Sequence, residues 1–171
     1  MNSPALATLD LALDLVFERV VDVSPEQLWR GWTDPQMLKT WFTPAPWSTV
    51  DCEIDLRPGG IFRTVMRSPE GEEFDSSGCY LHIDKHRKLV WTNALLPGFR
   101  AAAVKPKTSD DCSDLIFTGI VSLETLANGT RYTATAVHGD PESCQRHAAM
   151  GFHEGWGKSL DQLLESIHRA A

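Results

Sequence analysis

From residue 50 to residue 138 the apolar side chains mostly recur at every second position, whereas from Ala149 to Ile167 they recur at every third or fourth. Few folds satisfy both periods. Strands that are apolar on one parity must pair into a sheet with one dry face, and the amphipathic helix at the end of the chain is the natural cover for it. Val50, Cys52, Ile54 and Leu56 alternate with Asp51, Glu53 and Asp55, so this first repeat has one buried and one wet face. Arg57-Pro58-Gly59-Gly60 predicts a turn and 61–66 the return strand. Glu70-Gly71-Glu72 predicts a second turn, leading into a strand over 74–84 and a short one over 89–94. Leu115, Phe117, Gly119, Val121 and Leu123 share one parity of a further strand. Asn128-Gly129 tolerates the positive φ of a tight hairpin turn, after which Tyr132, Ala134, Ala136 and His138 lie on one face of the last strand.

The first fifty residues add a strand and two short helices. Residues 1–12 have little periodicity and read as a loose arm, and 13–23 read as a strand rich in β-branched residues. Ser24-Pro25-Glu26-Gln27 carries a capping box, with proline at the first helical position. Asp34-Pro35 repeats the cap-then-proline signal and opens a second helix towards Trp41. Asp140-Pro141-Glu142 does the same for the last helix. Read without a break to His168, that helix has ~28 residues and a length of about 42 Å. It would contain Gly151, Gly155 and Gly157, each costing about 1 kcal/mol relative to Ala, which asks for a close approach, a kink or a space left open. The expected class is α+β, in the order β-α-α-β6-α, with about seven antiparallel strands in a curved sheet around a long C-terminal helix. At 171 residues the chain is the size of one domain, here 13–171.

Charge and cysteine content exclude several functions. With 23 acidic and 16 basic side chains the net charge is −7, and no basic stripe is present to neutralise phosphates, so neither nucleic acid nor an anionic membrane is an expected partner. No apolar run approaches the ~18 residues of a membrane span. The N-terminus has acids and no Lys or Arg before Arg19, unlike a secretory signal, so a cytoplasmic location is expected. The four cysteines, at 52, 79, 112 and 144, form no Cys-x-x-Cys pair and read as free thiols in a reducing compartment.

Polar groups suited to acid–base work gather late in the chain: His138, Asp140, His147, His153 and Glu154. Parity turns His138 inward, beside Tyr132, Ala134 and Ala136, and His153 flanks the Phe152/Trp156 stripe. Either could act as general base in a reaction, since histidine titrates near neutrality. His147 is the weaker candidate. No metal is expected: His147 and His153 are six residues apart, about 600° around a helix, and His153-Glu154 lacks the second histidine of a zincin. No glycine-rich phosphate loop and no Gly-x-Ser-x-Gly elbow occurs, so no cofactor is predicted.

Several strings together resemble the START-like superfamily, whose helix-grip fold is shared by lipid carriers, plant pollen allergens and polyketide cyclases. More narrowly they resemble the branch of the Aha-type activator of the heat-shock chaperone ATPase. The strings are VSPEQLWRGWTDPQMLKTWF at 23–42, LRPGGIFRTVM at 56–66, the G-x-Y-x-x-I-D run at 78–84, KLVWT at 88–92, NGTRYTATAVH at 128–138 and MGFHEGWGKSLDQLLESI at 150–167. The resemblance implies the helix-grip fold, and one of three roles: binding a hydrophobic small molecule, cyclase- or dehydratase-type catalysis, or assisting a chaperone.

Six tryptophans raise the expectation of an apolar cavity, because an indole suits a pocket wall better than a tight core. The predicted wall consists of Trp41, Phe62, Met66, Trp91, Phe117, Tyr132 and Trp156, with His138 and His153 as its polar points. Residues 97–112 read as a gate, in which Phe99 plugs the mouth and Ala101, Ala102 and Ala103 form a helical turn. The reading favoured overall is a carrier or sensor of an apolar, aromatic small molecule. A cyclase-like enzyme using His138 or His153 is the alternative, and a chaperone-activating interaction module comes third, disfavoured by the single short domain. A homodimer is left open.

Overall fold

The structure, a computed structural model, describes residues 8–103 and 115–171. Cys112, Pro106 and most of the 97–112 stretch therefore lie outside the described residues, as do residues 1–7 of the arm. The chain begins with β1 (Asp14–Val21), followed by α1 (Pro25–Thr33) and α2 (Pro35–Trp41). Four strands come next: β2 (Ser48–Ile54), β3 (Ile61–Arg67), β4 (Glu73–Asp84) and β5 (Lys88–Thr92). A small separate hairpin, β6 (Leu95–Leu96) and β7 (Arg100–Ala101), precedes β8 (Thr118–Leu126) and β9 (Gly129–Val137). Two helices, α3 (Pro141–Ala149) and α4 (Phe152–Ala170), complete the chain.

The main sheet has seven strands in the order β1-β9-β8-β5-β4-β3-β2, and all neighbours are antiparallel. This is the α+β arrangement expected from the two periods of the sequence, in the helix-grip form that the family resemblance implies. The register shifts between Thr49 and Asp51 and between Tyr80 and His82. Such irregularities bend strands, which helps a sheet curl around a helix. Both predicted caps of the early helices form. Ser24 accepts from the Gln27 amide while Gln27 answers the Ser24 amide, and the Asp34 carboxylate accepts from Gln36 and Met37.

The helices pack against the sheet and meet both of its edge strands. Leu160, Leu163 and Ile167 of α4 are buried in a core that also holds Leu28, Trp32 and Leu38 of the early helices and Val121, Leu123 and Tyr132 of the sheet. A side chain at Gly31 would collide with Leu163, so this glycine sets how closely α1 and α4 approach. The Arg19–Asp161 ion pair joins β1 to α4 at the surface.

Three expectations are corrected. The last helix is two helices, because Gly151 takes φ +89°, a left-handed conformation open to glycine at no steric cost, and the chain changes direction there. The turn between β8 and β9 is centred on Ala127-Asn128, since Gly129 already pairs with Leu126; a Cβ at Gly129 would strike the Val21 carbonyl of β1. Ala101 belongs to β7, paired with Leu95, so the three alanines do not form a helical turn.

Candidate functional site

A hollow of about 230 Å³ opens between the β3–β4–β5 part of the sheet and the junction of α3 with α4. A second, of about 260 Å³, adjoins it and shares Phe42, Met66, His147 and Trp156 as walls. Local sequence explains why the space is open. On β5, Trp91 faces inward, and its indole lies over Gly119 of β8, where a Cβ would come within 2.4 Å of the ring. Trp91 also meets Phe62 at a centroid distance of 5.5 Å and Trp32 at 5.1 Å, which fixes its plane. Trp156 of α4 stacks on Trp32 at 5.9 Å and so presents its other side to the hollow. Asn93 secures the far wall: its amide donates to the Leu115 carbonyl at 2.7 Å and its carbonyl accepts from the Phe117 amide at 3.0 Å. Leu115 and Phe117 thereby face the hollow as a short extension of β8.

The polar groups of the wall are few. Thr64 and Ser76 are register partners on β3 and β4. Asp75 stands at the rim, held by a two-pronged contact with the Arg63 guanidinium. Among the described residues the only titratable group on the helical side is His147 of α3, whose ring sits 4.9 Å from Phe117 and 5.2 Å from Phe152. His138 lies behind it, buried. His138 Nδ1 meets the Leu13 carbonyl at 2.8 Å, and its Nε2 meets His147 Nδ1 at 2.9 Å. Burial first, and the neighbouring His138 second, push the His147 pKa down to about 4, so the imidazole is neutral over the physiological range. Among the described residues no cluster of three His, Cys, Asp or Glu is placed to hold a metal ion.

Of the residues expected to form a wall, Phe62, Met66, Trp91, Phe117 and Trp156 meet around the first hollow, and Trp41 borders the second. Tyr132 and His138 are buried and border neither. His153 is exposed, its Nε2 3.0 Å from the Val16 carbonyl, so it is turned towards β1. Phe99, at φ +60°, is 52% exposed and rests on the Gly59 turn rather than over the hollow. Trp29 and Trp32 are core residues that border neither hollow, Trp41 and Trp91 are core residues that also border one, and Trp47 and Trp156 border the first without being fully buried.

The sequence profile of the Activator of Hsp90 ATPase homolog 1-like proteins matches residues 22–167, which takes in every element from α1 to most of α4. The chain belongs to that family. No curated protein matches it. Among solved structures it is similar to protein NE0264 from Nitrosomonas europaea, at 43% identity over 95% of this chain and 98% of that one, with a TM-score of 0.87. A protein from Rhodobacter sphaeroides shares the fold at 21% identity and a TM-score of 0.75, with 94% of each chain covered. An AHSA1-like protein from Aeromonas hydrophila shares it at 19% identity and a TM-score of 0.64, with 92% of this chain and 94% of that one covered. The family accounts for the helix-grip framework and leaves the chemistry of the site to be argued from its own residues. Among those, Phe42, Thr64 and Asn93 were not marked by the sequence, and His147 was marked only as the weaker acid–base candidate and not as a wall residue. Thr64 had the clearest signal, since it shares the parity of Phe62 and Met66.

Proposed function

We propose that the chain binds a small, apolar, aromatic molecule in the hollow between the sheet and the α3–α4 junction, as a carrier or sensor. The observation that supports the reading is the wall itself: Phe62 and Met66 of β3, Trp91 of β5, Phe117 just before β8 and Trp156 of α4 converge, with a few polar groups among them. Ligand sites are commonly built this way. An apolar cavity of ~150 Å³ already holds benzene, so about 230 Å³ suits a one- or two-ring molecule. Phe62, Met66, Trp91, Phe117 and Trp156 are the wall residues in this reading, and it places the protein in the cytoplasm. The family description makes an activator-type role, acting through a surface on a chaperone, the second reading.

Naphthalene is a suitable probe, with quenching of tryptophan fluorescence as the signal, because Trp91 and Trp156 would touch it. Titration of the wild-type chain should saturate at one molecule per chain. Ser76→Phe places a ring in the hollow from its sheet side and should weaken binding at least tenfold. No saturable quenching in the wild type, or equal binding by both proteins, would overturn the reading. Stimulation of a chaperone ATPase by Ser76→Phe and wild type alike would favour the second.

A further inference from the structure

Among the described residues, His147 has a hydrogen-bond partner for one ring nitrogen and none for the other. The Leu13 carbonyl can only accept, so His138 must carry a proton on Nδ1 and donate it across 2.8 Å. In a neutral ring, His138 Nε2 is then a bare lone pair. Across the 2.9 Å contact His147 must therefore donate from its own Nδ1, which leaves its Nε2 as a lone pair too. Phe117 and Phe152 pack against the His147 ring and oppose a flip that would exchange the two nitrogens. His138, which takes up the Nδ1 side, does not border the hollow, whereas His147 does. Among the described residues nothing in the chain hydrogen-bonds His147 Nε2.

We infer that His147 Nε2 is an acceptor offered to the ligand, so that the site selects aromatic molecules bearing a hydroxyl donor, phenols in particular, over hydrocarbons of the same shape. The inference rests on the ligand-binding reading above and narrows its ligand class. A bound phenol donates to His147 Nε2, His147 Nδ1 donates to His138 Nε2, and His138 Nδ1 donates to the Leu13 carbonyl. Each donor in such a chain is strengthened by the next. A carboxylate or an ether brings only acceptors, so it gains nothing from this nitrogen.

The test compares 2-naphthol with 2-methoxynaphthalene, which differ in the donor proton, in the same fluorescence titration of the full chain at pH 8, where phenols remain largely protonated. One hydrogen bond predicts that 2-naphthol binds roughly three- to tenfold tighter than the ether. In His147→Phe the two should bind alike. Saturable binding of both with no preference in the wild type would overturn the inference and leave the pocket reading standing. If neither they nor naphthalene saturates, the pocket reading fails and the inference with it. A second readout needs no variant: ¹⁵N spectra of histidine-labelled wild type should show His147 protonated on Nδ1, with its Nε2 signal moving when 2-naphthol is added. A proton on Nε2 in the free protein would also overturn the inference.

Discussion

A histidine that stays neutral inside a fold makes that fold sensitive to acid. In an unfolded chain a histidine titrates near 6.5. His147 in the folded chain titrates at about 4, so between these values the unfolded chain holds a proton that the folded chain does not. The contribution is fully present above pH 6.5 and is lost as the pH falls towards 4, by up to about 1.4 kcal/mol per pH unit. The melting temperature should therefore drop between pH 7 and pH 5, and His147→Phe should show a smaller drop over the same interval. Equal drops would place the acid sensitivity elsewhere. Residue by residue, the inward face of β9 was legible because strand parity is strict: Tyr132, Ala134, Ala136 and His138 are all buried. The place of His147 in the wall was not legible. On an unbroken helix it lies nine residues from Trp156, about 180° around the axis, which is the opposite face. Only the break after α3 brings both side chains to one hollow.

That break is the property of one element boundary, and the glycines around it can be separated by what surrounds them. Gly151 has open space where a Cβ would stand but sits at φ +89°, so Gly151→Ala meets no clash and a strained backbone. It should destabilise by about 1–2 kcal/mol. Gly155 lies inside α4 with ordinary backbone geometry, and its nearest neighbour would be the Pro44 ring at 3.9 Å. Gly155→Ala should stabilise by about 0.5–1 kcal/mol. Urea unfolding of the two variants would show opposite shifts in midpoint, and shifts of the same sign would contradict the account of the junction. Three glycines in one amphipathic run signalled an irregularity. The sequence could not say where it falls, because the apolar stripe keeps its spacing of three or four across Gly151. The cap signals were more informative: Ser24, Asp34 and Asp140 each accept a backbone N–H at the start of the helix they predict.

For the whole molecule, two periodicities and three cap signals were enough for an α+β sheet closed by a terminal helix, because a one-sided sheet and an amphipathic helix have each other as the simplest cover. The hollow was less legible. It depends on Gly119 yielding to Trp91 and on Asn93 holding the 115–117 backbone, both long-range, and on the angle between α3 and α4, which is set at Gly151. The central claim is that this hollow, and no other part of the surface, takes an apolar ring. Methionine methyl groups report on it directly. Met66 borders both adjoining hollows, while Met37 borders a separate small one between α1 and the end of α4. With ¹³C-methyl methionine and naphthalene added stepwise, the account predicts a saturable ring-current shift of the Met66 methyl and none of the Met37 methyl. A Met66 signal that stays in place, or a saturable shift at Met37 instead, would contradict it.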